Sequence, residues 1–460
     1  AGFVPLISAV VGREQDAAAL ESASLLAKRI LAWFLPVLLA FLLLMEVFMV
    51  PVMLGLTGGY GNAADGADKL ALTVLLGRLT FPYLVFISLV AFFSAILNAF
   101  DRFSAAALCP VLLNIFMISA LVFFPGDTAE EAAQALAASV ALSGAVQAGW
   151  LWYACHKMGV RLSFERPRLS PELKQLLSLV APAAIGAGVM QINLLVDVML
   201  AARLLEDGAV SWLFYSDRLN QLPVGVIGVA IGTVILPSMS RSLASGNAEA
   251  ASHAMTQALR YGLMVALPAA VGLMLAAEPI IITLFERGAF SDRDTAMTAA
   301  ALSAYALGLP AYILMKCLTP GFHARRDTKT PVKIAMVTLV VNVAANLALI
   351  GPMGHVGLAA ATALAAWVGV ILSYTALHRS QLYRAPARLV GWMLRIILAA
   401  LVMGLVVYVL TEAFSDHGDT LIERALYIAL LVGLGGLAYS LALIGFGGVR
   451  LSELKALRRR

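Results

Sequence analysis

Charge is what this sequence has least of. Only 13% of its 460 residues are Asp, Glu, Lys or Arg, about half the ~25% typical of a soluble domain. Hydrophobic residues make up 61%, and a water-soluble chain of this length cannot hide so much apolar surface. Cysteine is also scarce. Cys109, Cys155 and Cys317 show no paired spacing, which argues against a disulfide framework or a cysteine metal site. The sequence shows no nucleotide-binding loop, no metal-ligand cluster and no paired catalytic carboxylates. It also lacks the alternation over ~10 residues that membrane β-strands require, and no cleavable signal peptide is visible.

What is present is a series of long apolar blocks: 30–57, 71–97, 105–124, 132–155, 176–202, 221–238, 255–284, 296–320, 332–351, 355–377, 389–412 and 423–446. Each is near or above the ~20 residues that carry a helix across a hydrocarbon core. The prediction is an all-α polytopic membrane protein with about twelve spans. When connections are assigned alternately to the two sides, 24 of the 32 Lys and Arg fall on one side. That side, with the C-terminal tail, is predicted to be cytoplasmic. The net charge of +5 then reflects topology and attraction to membrane lipids, and nucleic acid is not an expected partner.

The chain also repeats. F-P-Y-L-V-F around Pro82 matches L-P-A-Y-I-L around Pro310, and Asn114 and Asn342 each lie 32 residues further on. F-V-P-L-I-S at 3–8 matches I-L-P-S-M-S at 235–240. The offsets, 228 and 232, agree on one long period and predict a duplicated bundle, the usual frame of an alternating-access carrier around a midplane site. The expected organisation is an N-terminal lobe at 1–155, a basic linker at 156–175, a C-terminal lobe at 176–380, and a two-helix appendage with a basic tail at 381–460.

Three motifs carry a specific resemblance. Y-S-D-R-L-N-Q-L-P-V-G-V-I-G-V-A-I-G-T-V-I-L-P at 215–237 resembles the signature helix of the MurJ (MviN) family of lipid II flippases. P-G-F-H-A-R-R-D-T-K-T-P-V-K-I-A at 320–335 is similar to a cytoplasmic turn of that family, and N-A-F-D-R-F-S at 98–104 resembles the matching turn of the first lobe. The resemblance covers nearly the whole chain. It implies a MATE-like fold of two six-helix lobes plus two C-terminal helices in the bacterial cytoplasmic membrane. It also implies a substrate: undecaprenyl-pyrophosphate bearing a disaccharide-pentapeptide, moved to the outer leaflet for peptidoglycan synthesis and cell shape. Two departures stand out. Gln221 occupies a position that is acidic in some relatives, and the first two helices are largely missing. Repeat symmetry predicts a further 55–65 residues, roughly, before Ala1.

A pyrophosphate headgroup crossing the membrane needs cations in a water-filled cavity. Ionisable groups inside spans are costly, ~2.5–3.5 kcal/mol or more at a helix centre, and so invite a functional reading. Arg218, beside Asp217 and followed by Gly225, Gly228 and Gly232, is the leading cavity residue. The alternative is an Asp217–Arg218 interaction that anchors the helix end. Lys316 is the second cavity candidate, against snorkelling to the surface. Arg325 and Arg326 are positive-inside residues with a secondary role in catching the headgroup.

A second group is acidic and amide-rich. Asp197 lies deep in Q-I-N-L-L-V-D-V-M-L. Asn342 and Asn346 share one helix face, as do Leu358 and Thr362 on the next span. Carboxylate, amide, hydroxyl and backbone oxygens suit a small hard cation such as sodium, or a proton relay. The alternative is interhelical packing. No other cofactor or metal is expected. Three functions compete: lipid II flipping by a monomeric transporter, cation-coupled export of another lipid-linked glycan or a drug, and a membrane-embedded enzyme of lipid-linked glycans. Arg218 and Lys316 suit an anion better than a cationic drug, and the missing catalytic groups disfavour the enzyme.

Overall fold

In the computed structural model, the described residues are 17–58, 66–160, 188, 191–244, 247–323, 325, 327, 329–414, 418 and 420–448. They are helices and short connections, with no strand among them. The chain divides into two compact units, Ala1–Gly188 and Val189–Arg460. Residues 161–175, most of the expected linker, and the matched stretch 3–8 lie outside the described residues.

The first unit contains α1 (Ala17–Val47), α2 (Met49–Thr57), α3 (Gly66–Thr80), α4 (Tyr83–Ala99), α5 (Cys109–Phe123) and α6 (Ala129–Met158). Ile30, Phe92, Ile96 and Leu151 form its centre, where α1, α4 and α6 meet. Apolar side chains gain nothing by leaving lipid for protein, so close packing must hold such helices together. Gly144 of α6 provides it: a Cβ there would stand 2.6 Å from the Tyr83 ring of α4. The α6 start is set by Thr128, whose hydroxyl accepts the Glu131 N–H at 3.2 Å. Gly159, with φ of 102°, ends the helix in the left-handed conformation that glycine adopts freely.

The second unit runs through α7 (191–204), α8 (Ala209–Ala244), α9 (Ala248–Leu275), α10 (Ala277–Phe285), α11 (Asp292–Ala306) and α12 (Leu309–His323). It continues with α13 (Lys329–Arg379), α14 (Ala387–Ala413) and α15 (Leu421–Gly445). Capping boxes at Ser291/Asp294 and Thr420/Glu423 start α11 and α15. The 51 residues of α13 are two arms, folded back at Gly354, where φ is 57° and ψ is −134°. A Cβ at Gly357 would lie 2.5 Å from the Leu349 carbonyl oxygen, so the fold needs glycine at that point.

Nine helical stretches among the described residues are long and apolar enough to cross a membrane. The arms of α13 are two passes, and α7 and α8 correspond to the predicted blocks 176–202 and 221–238. The expectation of about twelve spans therefore agrees with the fold. The C-terminal hairpin α14–α15 packs on α9 within the second unit. The Arg260 guanidinium lies 4.9 Å from the Trp392 ring centre, and the Tyr439 hydroxyl donates to the Met264 carbonyl at 2.7 Å. Cys109, Cys155 and Cys317 are buried and free.

The first turn of α13 is capped from the preceding connection. Asp327 Oδ1 accepts the backbone N–H groups of Thr330 at 3.0 Å and Lys329 at 3.1 Å. The bond from Thr330 is the main reason this carboxyl sits below its ordinary range. Asp327→Ala is expected to weaken the turn by about 1 kcal/mol. Because the folded pKa is depressed, the contribution is complete above the ordinary carboxylate range and is lost as pH falls through the folded value. Hydrogen exchange at Lys329 and Thr330 checks both points: faster at neutral pH in the variant, and equal to the parent in acid.

Candidate functional site

The helix carrying Arg218 starts earlier than its apolar block suggests. Arg218 was expected at the head of a span beginning at 221, whereas α8 begins at Ala209 and Arg218 is well inside it. The polar residues of 209–220 do not end the helix because they face a neighbour. Trp212 Nε1 donates to Asp294 Oδ1 at 2.7 Å, and Ser216 Oγ donates to the Thr298 carbonyl at 2.8 Å. Both bonds span 82 residues, so α8 and α11 run parallel in a fixed register.

Arg218 lies on the other face of α8 and is exposed. Its guanidinium stacks over Phe214 one turn back, 5.0 Å from the ring centre. Asp217, half-buried, instead accepts a hydrogen bond from the Gln221 amide one turn on. The anchoring role considered for an Asp217–Arg218 pair is thus taken by Asp217 and Gln221, since adjacent helical residues do not face each other. Lys316 of α12 is also exposed, and its stem lies across Gly228 of α8. A Cβ at Gly228 would be 2.5 Å from Lys316 Cδ, so this glycine makes the groove in which the lysine rests. Among the described residues, two cations are therefore displayed on α8 and α12 with no carboxylate bonded to either.

Arg325 is placed elsewhere. It sits past the end of α12, where its Nη1 donates to the Ser380 carbonyl at 3.4 Å. That bond ties the turn to the end of α13 and leaves Arg325 apart from Arg218 and Lys316. Arg326 lies outside the described residues.

The acidic and amide-rich group is brought together. Asp197 of α7 is 8% exposed, and Asn342 and Asn346 of α13 are 1% and 0% exposed. Asn346 Nδ2 donates to Asp197 Oδ1 at 2.6 Å and to Asn342 Oδ1 at 2.9 Å. Asn342 Nδ2 donates to Thr362 Oγ1 at 3.2 Å. Thr362 Oγ1 in turn reaches Asp197 Oδ2 at 3.3 Å and the Leu358 carbonyl at 3.1 Å. All five predicted residues thus meet where α7 crosses both arms of α13. Asn193 also belongs here, donating to Asp197 Oδ2 at 3.4 Å. Its spacing of four from Asp197 on one helix was the available signal.

One oxygen of the cluster is unused. Asn346 Oδ1 is buried without a hydrogen-bond partner, an arrangement that normally costs ~1–3 kcal/mol. One carboxylate surrounded by neutral oxygens matches a monovalent hard cation in charge and ligand type. Among the described residues no group of three His, Cys, Asp or Glu could hold a harder-charged metal.

The profile of the lipid II flippase MurJ family matches residues 3–428. The chain belongs to the MurJ family. It is 36% identical to the probable lipid II flippase MurJ of Rhizobium meliloti (strain 1021) over 458 residues, covering 98% of this chain and 84% of that one. Against the probable lipid II flippase MurJ of Vibrio cholerae serotype O1 it is 37% identical over 396 residues, covering 86% and 75%. A solved MurJ in an inward closed conformation superposes with a TM-score of 0.76 at 26% identity, covering 97% of this chain and 87% of that one. An inward-facing MATE transporter of the MOP superfamily shares the fold, with a TM-score of 0.67 at 16% identity over 83% of this chain and 86% of that one. MurJ proteins are transporters rather than enzymes, and the MATE-like architecture that the resemblance implied is that of the family.

Proposed function

We propose that this MurJ protein carries lipid II from the inner to the outer leaflet of the bacterial cytoplasmic membrane by alternating access, supplying peptidoglycan synthesis. Arg218 and Lys316 contact the pyrophosphate. The observation that carries this reading is their display, without a bonded carboxylate among the described residues, on helices whose other described exposed residues are largely apolar. A cation so placed costs several kcal/mol against lipid and is stable only beside water or an anion. Asp197, Asn342, Asn346, Thr362 and the Leu358 carbonyl hold a sodium ion, whose charge the single carboxylate balances. The protein acts as a monomer, with its C-terminal tail on the cytoplasmic side where most Lys and Arg fall. Export of a cationic drug is not favoured, because the exposed charges on α8 and α12 are positive.

The test is reconstitution of the full-length protein in liposomes carrying lipid II, with translocation read by an impermeant headgroup probe. Sodium-dependent transfer of lipid II, with no transport of a cationic dye, is expected. Dye transport without lipid II transfer would overturn the reading.

A further inference from the structure

Arg218 is held by a ring rather than by an acid. The carboxylate next to it in sequence, Asp217, is engaged by the Gln221 amide, and successive residues of a helix point about 100° apart. Among the described residues the guanidinium makes no hydrogen bond and no ion pair. Its contact is the face of Phe214, 5.0 Å from the ring centre. The spacing of four explains the geometry. Helical side chains lean back over the preceding turn, so the Arg218 stem runs towards Phe214 and lays the flat guanidinium on the ring.

Phe214 is itself braced, although it is 54% exposed. Its ring meets that of Tyr215 edge-on, with centres 6.0 Å apart and planes at 74°. Tyr215 in turn packs on Phe285, the last residue of α10, at 4.8 Å. It also packs on Phe290, in the connection to α11, at 5.7 Å. These separations lie in the range of attractive aromatic pairs. The platform under Arg218 is thus backed by rings from outside its own helix.

We propose that Phe214 is a positioning residue that orients Arg218 for the pyrophosphate of lipid II. This rests on the headgroup reading above. A carboxylate would grip the guanidinium by its edge, cancel its charge and occupy the N–H groups that a phosphate needs. A ring attracts the cation through its quadrupole and covers only the flat face. The five N–H donors around the edge stay available, in the fork that matches two phosphate oxygens. The stack therefore persists when the headgroup binds, and a long side chain is ordered before the anion arrives. Without the ring, that ordering must accompany binding and lowers the affinity. A ring that had to release Arg218 first would have the opposite effect.

The experiment measures binding of lipid II, and of undecaprenyl pyrophosphate without sugars, to the purified full-length protein. Phe214→Leu is expected to weaken both ligands by about 5- to 30-fold, within the strength of one cation–π contact. Phe214→Trp, which keeps a ring face, should bind both within about threefold of the parent. In an Arg218→Ala background, Phe214→Leu should cause no further loss, because its effect passes through the guanidinium. Should Leu disturb the fold, Phe214→Met makes the same comparison with a flexible apolar chain. Unchanged or tighter binding without the ring overturns the proposal, as does a loss that adds in full to that of Arg218→Ala. A loss for lipid II alone also overturns it and assigns the ring to the sugars. If Arg218→Ala binds both ligands like the parent, the headgroup reading fails first, and this proposal with it.

Discussion

Arg218→Ala is expected to abolish lipid II transfer while leaving expression and thermal stability unchanged. The guanidinium contributes nothing to the core of its unit: it is exposed and its contact is the face of Phe214, itself 54% exposed. Substitutions at such positions usually change stability by less than about 0.5 kcal/mol. Its loss matters for the headgroup instead, where removing one partner of a desolvated charge pair costs ~2–5 kcal/mol. At 1.36 kcal/mol per decade, the rate should drop about 30-fold to several thousand-fold. Arg218→Lys should keep part of the activity, because an ammonium holds the charge but loses the planar fork that grips two phosphate oxygens. Translocation assays on the three proteins in liposomes decide the matter. Wild-type rate in the Ala variant would move the headgroup away from α8.

The two parts of the site differed in how far the sequence revealed them. The polar cluster around Asp197 was legible because its members obey helical spacing: Asn342 with Asn346, and Leu358 with Thr362, each four apart and so on one face. Their meeting with Asp197 needed only the rule that a buried carboxylate in a span must find partners. Asn193 was overlooked although it obeys the same spacing. The start of α8 was misplaced because hydropathy counts Ser216, Asp217 and Asn220 as polar, whereas Ser216 and Asn220 are buried and Ser216 is bonded to α11. Gly228 was visible only as one of the run Gly225, Gly228 and Gly232, and Gly308 carries no such signal. Their role is to be absent where Lys316 and Tyr312 lie, and only packing shows that.

The repeat shows why only the second unit builds this polar cluster from the matched positions. At the offset of 228, Asn342 corresponds to Asn114, Asn346 to Ile118 and Thr362 to Gln134. Asn114 is exposed where Asn342 is 1% exposed, and Ile118 offers no oxygen. The duplicated frame was therefore readable from matching prolines, but the specialisation lies in side chains that the two halves do not share.

That specialisation makes Asp197 the position with the second-largest expected effect. Asp197→Asn keeps the size of the side chain and removes its charge. In the parent, Asp197 accepts from Asn346, Thr362 and Asn193, and among the described residues no other carboxylate joins these oxygens. Without it, only neutral oxygens face a cation, and an amide nitrogen competes for space among donors. Sodium should stabilise the purified parent as any ligand of the native state does, by about 2.7 kcal/mol at a hundredfold excess over Kd. In Asp197→Asn that response should vanish, with the sodium-free melting point within a few degrees of the parent. Potassium or N-methylglucamine at the same ionic strength separates site binding from screening, which acts on exposed charges rather than on a residue 8% exposed. If the variant still responds to sodium like the parent, the cluster is a packing network, and the orphaned Asn346 oxygen faces a water.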